Sequence, residues 1–272
     1  MSILESSYIF GEVIKSKDNP KIKLFKKLMT SKKERYRYKL FVLEGSRLVF
    51  DAVKSDAGIR QIYFTQSAAE KHGNEIENLP EDIKVSIISD EIGNYISATE
   101  HTQGVFAQCS FSDNTSVSGK IKAGGKYAVL YKLQDPGNAG MIIRTADALG
   151  LDGVIFCESC DVYNPKVVRA TMGSMFRVPV YRDINEDELF SALSDAGVES
   201  FAAVVDSDAK DVKKTDFSRG GAVFIGNEGN GLDGDITAKC CERITIKMSG
   251  NTESLNAAMA AGIIMWELMR CE

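Results

Sequence analysis

From Tyr127 onward, short apolar runs of strand character alternate with segments of helical character, and this alternation leaves few folds open. The strand-like runs fall at 127–133 (YAVLYKL), 153–156, 178–181, 200–205, 222–225 and 243–246. Helical spacing fills 139–149, where Gly150 stops it, then 186–196, and finally the long apolar stretch 255–269. A strand, a helix and a further strand in succession place the two strands parallel, because the helix carries the chain back along the sheet. Parallel strands are apolar on both faces and need helices on both sides. The expected class is α/β, a mostly parallel sheet between two helical layers.

The first part of the chain is less regular. IKLFKKLM at 22–29 has helical spacing with basic residues on its outer face; 41–43 reads as a strand, 46–55 as a helix, and 59–65 and 84–88 as strands. SDNTSVSGKIKAGG at 112–125 is small, polar and Gly-bearing, the composition of a linker. The chain of 272 residues, comfortable for two cores, is therefore divided into an N-terminal domain 1–111, a linker 112–125 and a C-terminal domain 126–272.

The net charge of −5 is unevenly spread: residues 1–50 hold twelve Lys and Arg against five acids, +7, which leaves −12 for the remainder. A basic end on an acidic protein suits a polyanion partner, although a solvated helix face has the same composition. Nothing resembles a signal peptide, and no run reaches the roughly 18–20 apolar residues of a membrane span, so no membrane partner is expected. The six cysteines (109, 157, 160, 240, 241 and 271) are scattered, as suits a reducing cytoplasm. Cys157 and Cys160 form a CxxC, but no second pair stands at zinc spacing and both His72 and His101 are far away in sequence. No metal is expected; two thiols at a strand end are the simpler account.

Three blocks rich in Gly, Asn and small polar residues stand beside the strand-like runs: LQDPGNAGMIIRTA at 133–146, FIGNEGNGL at 224–232 and SGNTESLNAAMA at 249–260. Strand ends are where open α/β sheets assemble their sites. In the first block, DPGN makes a turn at a helix N-terminus, whose free N–H groups suit an anion, and Arg144 adds a donor fork suited to phosphate. The competing account makes Asn138 a plain helix cap and Arg144 a surface ion-pair partner. In the second, GNGLDG at 229–234 matches GxGxxG, yet the strand at 243 follows too soon for an ordinary crossover helix, which makes it a poor dinucleotide fingerprint. Its glycines still suit close backbone approach to a small ligand. In the third, Glu253 and Ser254 fit equally well as ordinary first-turn residues of the last helix.

Together the blocks carry a resemblance. NAG at 138–140 with RTA at 144–146, GNEGNGL at 226–232, and IKMSG at 246–250 with ESLN at 253–256 resemble the three motifs of the SpoU (TrmH-type) branch of the SPOUT RNA methyltransferases. YNPKVVRA at 163–170 and GSMF at 173–176 look like that family's middle segment. The resemblance is dense over 127–272; the N-terminal part is similar, more loosely, to the ribosomal-protein-like RNA-binding domain often attached to such enzymes. It implies a deep C-terminal trefoil knot, a homodimer, S-adenosylmethionine as cofactor, and methylation of a ribose 2′-hydroxyl. Carried over by position, Gly226, Asn227, Glu228, Gly231, Ile246, Met248, Ser254 and Leu255 belong around the cofactor. Asn138, Arg144, Glu228, Ser254 and Asn256 belong at the catalytic site. Lys21, Lys23, Lys32, Lys33, Arg35 and Arg37, interleaved with Phe25, Tyr36 and Tyr38, would meet RNA, with rRNA favoured over tRNA. Lys247 stands where the family usually has Pro, and Ala257 where a β-branched residue is common. A knotted RNA-binding dimer without catalysis and a nucleotide-dependent dehydrogenase built on 229–234 are the competing classes.

The residues also limit the mechanism. A ribose hydroxyl is a poor nucleophile at neutral pH, so its developing alkoxide must be stabilised or its proton removed. No histidine follows His101. A guanidinium with a pKa above about 12 is a poor base. Arg144 is therefore expected to hold phosphate and alkoxide charge, Ser254 and Asn256 to orient the hydroxyl, Asn138 to position loops, and Glu228 to order the cofactor loops.

Overall fold

The computed structural model describes residues 13–270; residues 1–12 of the N-terminal domain and Cys271 lie outside the described residues. The chain forms two compact units, Met1–Ser112 with Tyr163–Pro165, and Asp113–Val162 with Lys166–Glu272.

In the first unit, the helix α1 (Pro20–Thr30) starts where the Asn19 side chain accepts from the Lys21 N–H and Pro20 supplies a preset φ. Its Ile22, Phe25 and Leu28, three residues apart, are fully buried. Phe25 meets Tyr63 and Phe106 edge-on, with ring centroids 5.8 and 5.7 Å apart. Burial of such side chains contributes about 1.5–3 kcal/mol each, and this stripe fixes α1 on its sheet. A second helix, α2 (Lys32–Tyr38), follows at once, capped by Ser31. The sheet, among the described residues, has the order β1 (Leu40–Glu44), β4 (Val105–Ser110), β2 (Ile59–Thr65), β3 (Lys84–Ile88). Strand β4 is not foreseeable from apolar runs, because the buried Gln108 interrupts it. It pairs antiparallel with both β1 and β2, while β2 and β3 run parallel, so this sheet is mixed. The helix α3 (Ser46–Lys54) lies in the expected place, with α4 (Gln66–Lys71), α5 (Gly73–Glu77) and α6 (Asp90–Ile96) between the later strands.

Among the described residues, the second unit holds a seven-stranded sheet whose pairings are all parallel, in the order β7 (Val180–Tyr181), β6 (Gly153–Cys157), β5 (Lys126–Tyr131), β10 (Gly221–Ile225), β8 (Ser200–Ala203), β11 (Glu242–Thr245), β9 (Lys210–Asp211). The two-residue polar β9 was not foreseen. One face of the sheet, with Tyr127, Val129 and Phe224, packs on Leu189, Ala192 and Leu193 of α9 (Glu186–Asp195). Alternate residues point to the opposite face, where α7 (Pro136–Leu149) and α11 (Ala257–Arg270) lie against each other and against the sheet. The short α8 (Pro165–Ala170) and α10 (Gly234–Lys239) complete the unit. The segment read as a linker contributes Val117, fully buried in this core, and Glu188 accepts from Ser116 Oγ at 2.5 Å and from the Val117 N–H at 2.8 Å.

Two helix starts differ from expectation. Helix α7 begins at Pro136, and Asp135 is its cap, accepting from the Asn138 N–H at 2.8 Å. Asn138 is therefore spared from capping. Helix α11 begins at Ala257, because Asn256 Oδ1 accepts from the N–H groups of Ala258 and Met259. This leaves Glu253, Ser254 and Leu255 outside the helix.

Candidate active site

The loops after β5, β10 and β11 leave the same edge of the sheet, because their strands are parallel. The loop after β10 is folded on itself: Asn227 and Gly231 exchange two backbone hydrogen bonds, both 2.9 Å. Gly226 permits that closure, since a Cβ there would collide with the backbone of Gly231 and Leu232. Gly231, at φ 70°, takes the left-handed conformation that glycine adopts without cost. Asn227 Oδ1 accepts from the Gly229 and Asn230 N–H groups at 2.9 and 3.1 Å.

A chain of polar contacts joins the three motif loops. Glu228 accepts from the N–H groups of Gln134 (3.1 Å) and Asp135 (2.9 Å) and from Asn138 Nδ2 (3.1 Å). Asn138 Oδ1 accepts in turn from Asn256 Nδ2 at 3.0 Å. One carboxylate and two amides thus tie the loops after β5, β10 and β11, although the three residues are spread over more than a hundred positions of sequence. Asn256 thus joins the start of α11, through its Oδ1, to Asn138, through its Nδ2.

Burial alone would raise the Glu228 pKa; the Asn138 amide and the N–H groups of Gln134 and Asp135 outweigh it, and the carboxyl sits below its ordinary value. A group depressed by folding stabilises the structure above its unfolded pKa, roughly 4.3, and ceases to do so as pH falls through the folded one. Ligand affinity at this loop is therefore expected to be level from pH 8 to 5 and to drop in more acid solution. Glu228→Gln should weaken it roughly three- to tenfold at pH 7 and abolish the acid drop; titration calorimetry across that pH range would show both.

Beside this linkage lies a cavity of about 510 Å³. Gly226, Asn227, Glu228, Gly231, Ile246, Met248, Ser254 and Leu255 all line it. So do Val204, Val205, Leu232 and Ile264, which the sequence reading did not select. The first two follow β8, and the rule that sites gather at the carboxyl ends of parallel strands would have pointed to them. Arg144 is not among the lining residues. It stands exposed on α7 and, among the described residues, has no ion pair or side-chain hydrogen bond. Ser254 is exposed at the cavity.

In the first unit Lys21, Lys23, Lys32, Lys33 and Arg37 are exposed. Lys23 pairs with Asp18 at 2.8 Å, Lys32 lies 5.3 Å above the Tyr36 ring, and Arg37 lies 5.4 Å from that of Tyr38. Arg35 corrects the expected RNA-facing set: it is 3% exposed, and its Nη1 donates to the Leu28 carbonyl at 2.7 Å. Its guanidinium braces the end of α1 and cannot reach a ligand.

The five described cysteines are free thiols. Burial pushes Cys157 and Cys160 up to about 12, which keeps both protonated and unreactive at neutral pH. Among the described residues no group of three His, Cys, Asp or Glu is placed to hold a metal ion, and no helix is long and apolar enough to cross a membrane. Both histidines belong to the first unit.

A cavity at the carboxyl edge of a parallel sheet, walled by Gly-rich backbone, joined in one chain to an α/β unit whose first two helices carry exposed Lys and Arg, describes an α/β enzyme with a separate substrate-binding part. Comparison with known proteins identifies both. Residues 126–266 match the SpoU rRNA Methylase family, and residues 19–107 match the MRM3-like substrate binding domain. The chain belongs to the SpoU rRNA methylase family. The 23S rRNA (guanosine(2553)-2′-O)-methyltransferase RlmP of Bacillus subtilis is 32% identical over 260 residues, which span 94% of this chain and 98% of that protein. The AdoMet-bound rRNA methyltransferase from Sinorhizobium meliloti superimposes with a TM-score of 0.84 at 29% identity, over 95% of this chain and 97% of that one. The SpoU methyltransferase AviRb from Streptomyces viridochromogenes, solved with AdoMet, gives 0.83 at 25% identity, over 93% and 97%. The GxGxxG at 229–234 accordingly belongs to a methylase loop, and the six-residue α10 that follows it is no dinucleotide-type helix.

Proposed function

We propose that this protein transfers the methyl group of S-adenosylmethionine to a ribose 2′-hydroxyl of rRNA. The observation that carries the reading is the polar linkage Glu228–Asn138–Asn256 beside a cavity lined by the second and third motif loops. The similarity to RlmP supports rRNA and the 2′-hydroxyl as acceptor.

The cavity fits the cofactor. At about 510 Å³ it falls within the range of small-molecule sites. Ile225, Ile246, Met248, Leu255 and Ile264 offer apolar wall to an adenine ring, and the Gly-rich turn offers backbone polar groups at close approach. When bound there, S-adenosylmethionine supplies an electrophilic methyl carbon. The chain's own residues must bring the ribose hydroxyl to that carbon and manage its charge. Arg144, exposed and without an ion pair or side-chain hydrogen bond among the described residues, binds the neighbouring phosphate and stabilises the developing alkoxide with its donor fork. Ser254 orients the hydroxyl. Asn138, Glu228 and Asn256 hold the loops at fixed spacing. The hydroxyl proton leaves to phosphate or water.

The exposed Lys and Arg of α1 and α2 contact the RNA backbone in this reading. Changing Lys32, Lys33 and Arg37 together to Gln should leave cofactor affinity alone and lower the salt slope of RNA binding by about two to three, as measured by filter binding from 50 to 200 mM salt.

A homodimer is part of the same proposal. On α11, Met259, Ile263 and Trp266 recur at helical spacing, 56, 38 and 58% exposed, with Met141 of α7 48% exposed. An apolar stripe of this kind suits burial against a second copy. Trp266→Glu should convert the dimer to a monomer in sedimentation velocity runs. A trefoil knot in the second unit is likewise part of the proposal, on the likeness to the SpoU methylases. The setting proposed is the cytoplasm.

The test of the reaction is transfer of label from S-adenosylmethionine to rRNA of a strain lacking the gene, with the product mapped for 2′-O-methylation. Cofactor binding without any label in RNA would leave a binding protein and sink the proposal.

A further inference from the structure

The residue after β5, Lys132, contacts both ends of the loop that follows β10. Lys132 has a left-handed backbone, φ 53°, which a lysine rarely adopts. Its N–H donates to the Cys157 carbonyl at 3.0 Å. Its own carbonyl accepts from Asn227 Nδ2 at 3.1 Å, at the start of the loop 226–232. Its ammonium lies 2.5 Å from Asp233 Oδ2, one residue past the end of that loop. Asp233 stands at the cap position of α10, yet its side chain makes no capping bond there and turns to Lys132 instead. The ammonium also lies 3.8 Å from Glu158 and 5.0 Å from the centre of the Tyr131 ring.

We infer that Lys132 is a positioning residue for the methyl donor, clamping the two feet of the cofactor loop to one backbone position. The inference rests on the reading that the loop 226–232 holds S-adenosylmethionine. Glu228 fixes the crest of the loop to Gln134, Asp135 and Asn138. Lys132 fixes its base: the Asn227 contact through the main chain, the Asp233 contact through the side chain. The unusual backbone turns the carbonyl and the long side chain of a single residue toward opposite ends of the same loop. Deleting the ammonium releases only the Asp233 end, so the loop stays folded but that end is free to drift.

The test uses the full chain and titrates S-adenosylmethionine by calorimetry into wild type, Lys132→Met, Lys132→Arg, Asp233→Asn and the double variant Lys132→Met/Asp233→Asn. Both partners are partly exposed, so each single loss should weaken binding about two- to fivefold. The double variant should bind no more weakly than either single, because the two groups act as one contact. Arg at 132 keeps charge and reach and should restore most of the affinity. In turnover, KM for the cofactor should rise more than kcat falls, and added salt should narrow the gap between wild type and Lys132→Met. Equal affinity in wild type, Lys132→Met and Asp233→Asn overturns the inference alone, as do fully additive losses. Should Lys132→Met fail to fold, Asp233→Asn and Lys132→Arg decide the matter by the same criteria. A wild-type protein that binds no S-adenosylmethionine overturns the loop assignment and the inference together.

Discussion

Replacing Arg144 by Ala should lower methyl transfer about 100- to 1,000-fold at saturating RNA and leave S-adenosylmethionine affinity unchanged. The magnitude is that of removing one preorganised charge from a developing oxyanion. The selectivity follows from position: Arg144 is on the exposed side of α7 and does not line the cofactor cavity. Lysine at the same place keeps a cation and loses the planar fork. Arg144→Lys should therefore retain turnover well above the Ala variant. If single-turnover rates of the two are equally low, charge stabilisation is the wrong account and the guanidinium geometry itself is required. The absence of histidine from the second unit sharpens this test, since no imidazole there takes the hydroxyl proton.

The second large effect is expected at Gly226. A methyl group there would strike the backbone of Gly231 and Leu232, and backbone cannot swing aside as a flexible side chain can. Overpacking of this kind costs about 1–3 kcal/mol. Charged to the loop that must wrap the cofactor, that cost corresponds to roughly 5- to 150-fold weaker binding. Gly229→Ala is the control. A Cβ at Gly229 would meet only Asn227 Oδ1, at 3.6 Å, an ordinary contact. Calorimetry should find Gly226→Ala severely impaired and Gly229→Ala close to wild type; equal tolerance would mean that the loop can refold around the added methyl.

The strands of the second unit were readable in sequence because burial on both faces makes them continuous apolar runs, as at Gly153–Cys157 and Gly221–Ile225. The same logic failed for β4, where Gln108 is buried inside a strand, and for β9, where two polar residues pair at a sheet edge. Helices of six or seven residues, such as α4, α6 and α10, are too short to display a period. The first turn of α7 was not legible from its apolar spacing, which begins near Ala139; Asp135 caps the helix at Pro136 and leaves the Asn138 side chain for Glu228. At the cavity, residues with unusual roles for their type, Gly226 and Asn227 among them, stood out. Val204, Leu232 and Ile264 did not, because an apolar residue at a ligand wall looks like any core residue. Charge counting could not separate Arg35, buried against a carbonyl, from the lysines around it.

The strand order bears on how the molecule is made. In the first unit the sheet is complete once Ser110 has been added. In the second, Tyr127 of β5 waits for Ala222 of β10, and β10 must also complete β8 on its other side. Until then the two strands present open edges, and pairings so distant in sequence form slowly. The first unit's sheet can thus be complete during synthesis well before the loop after β10, which lines the cavity, has been made. In the proposed reading, a chain interrupted before Gly221 would hold the RNA-contacting helices of the first unit without the loop that lines the cofactor cavity.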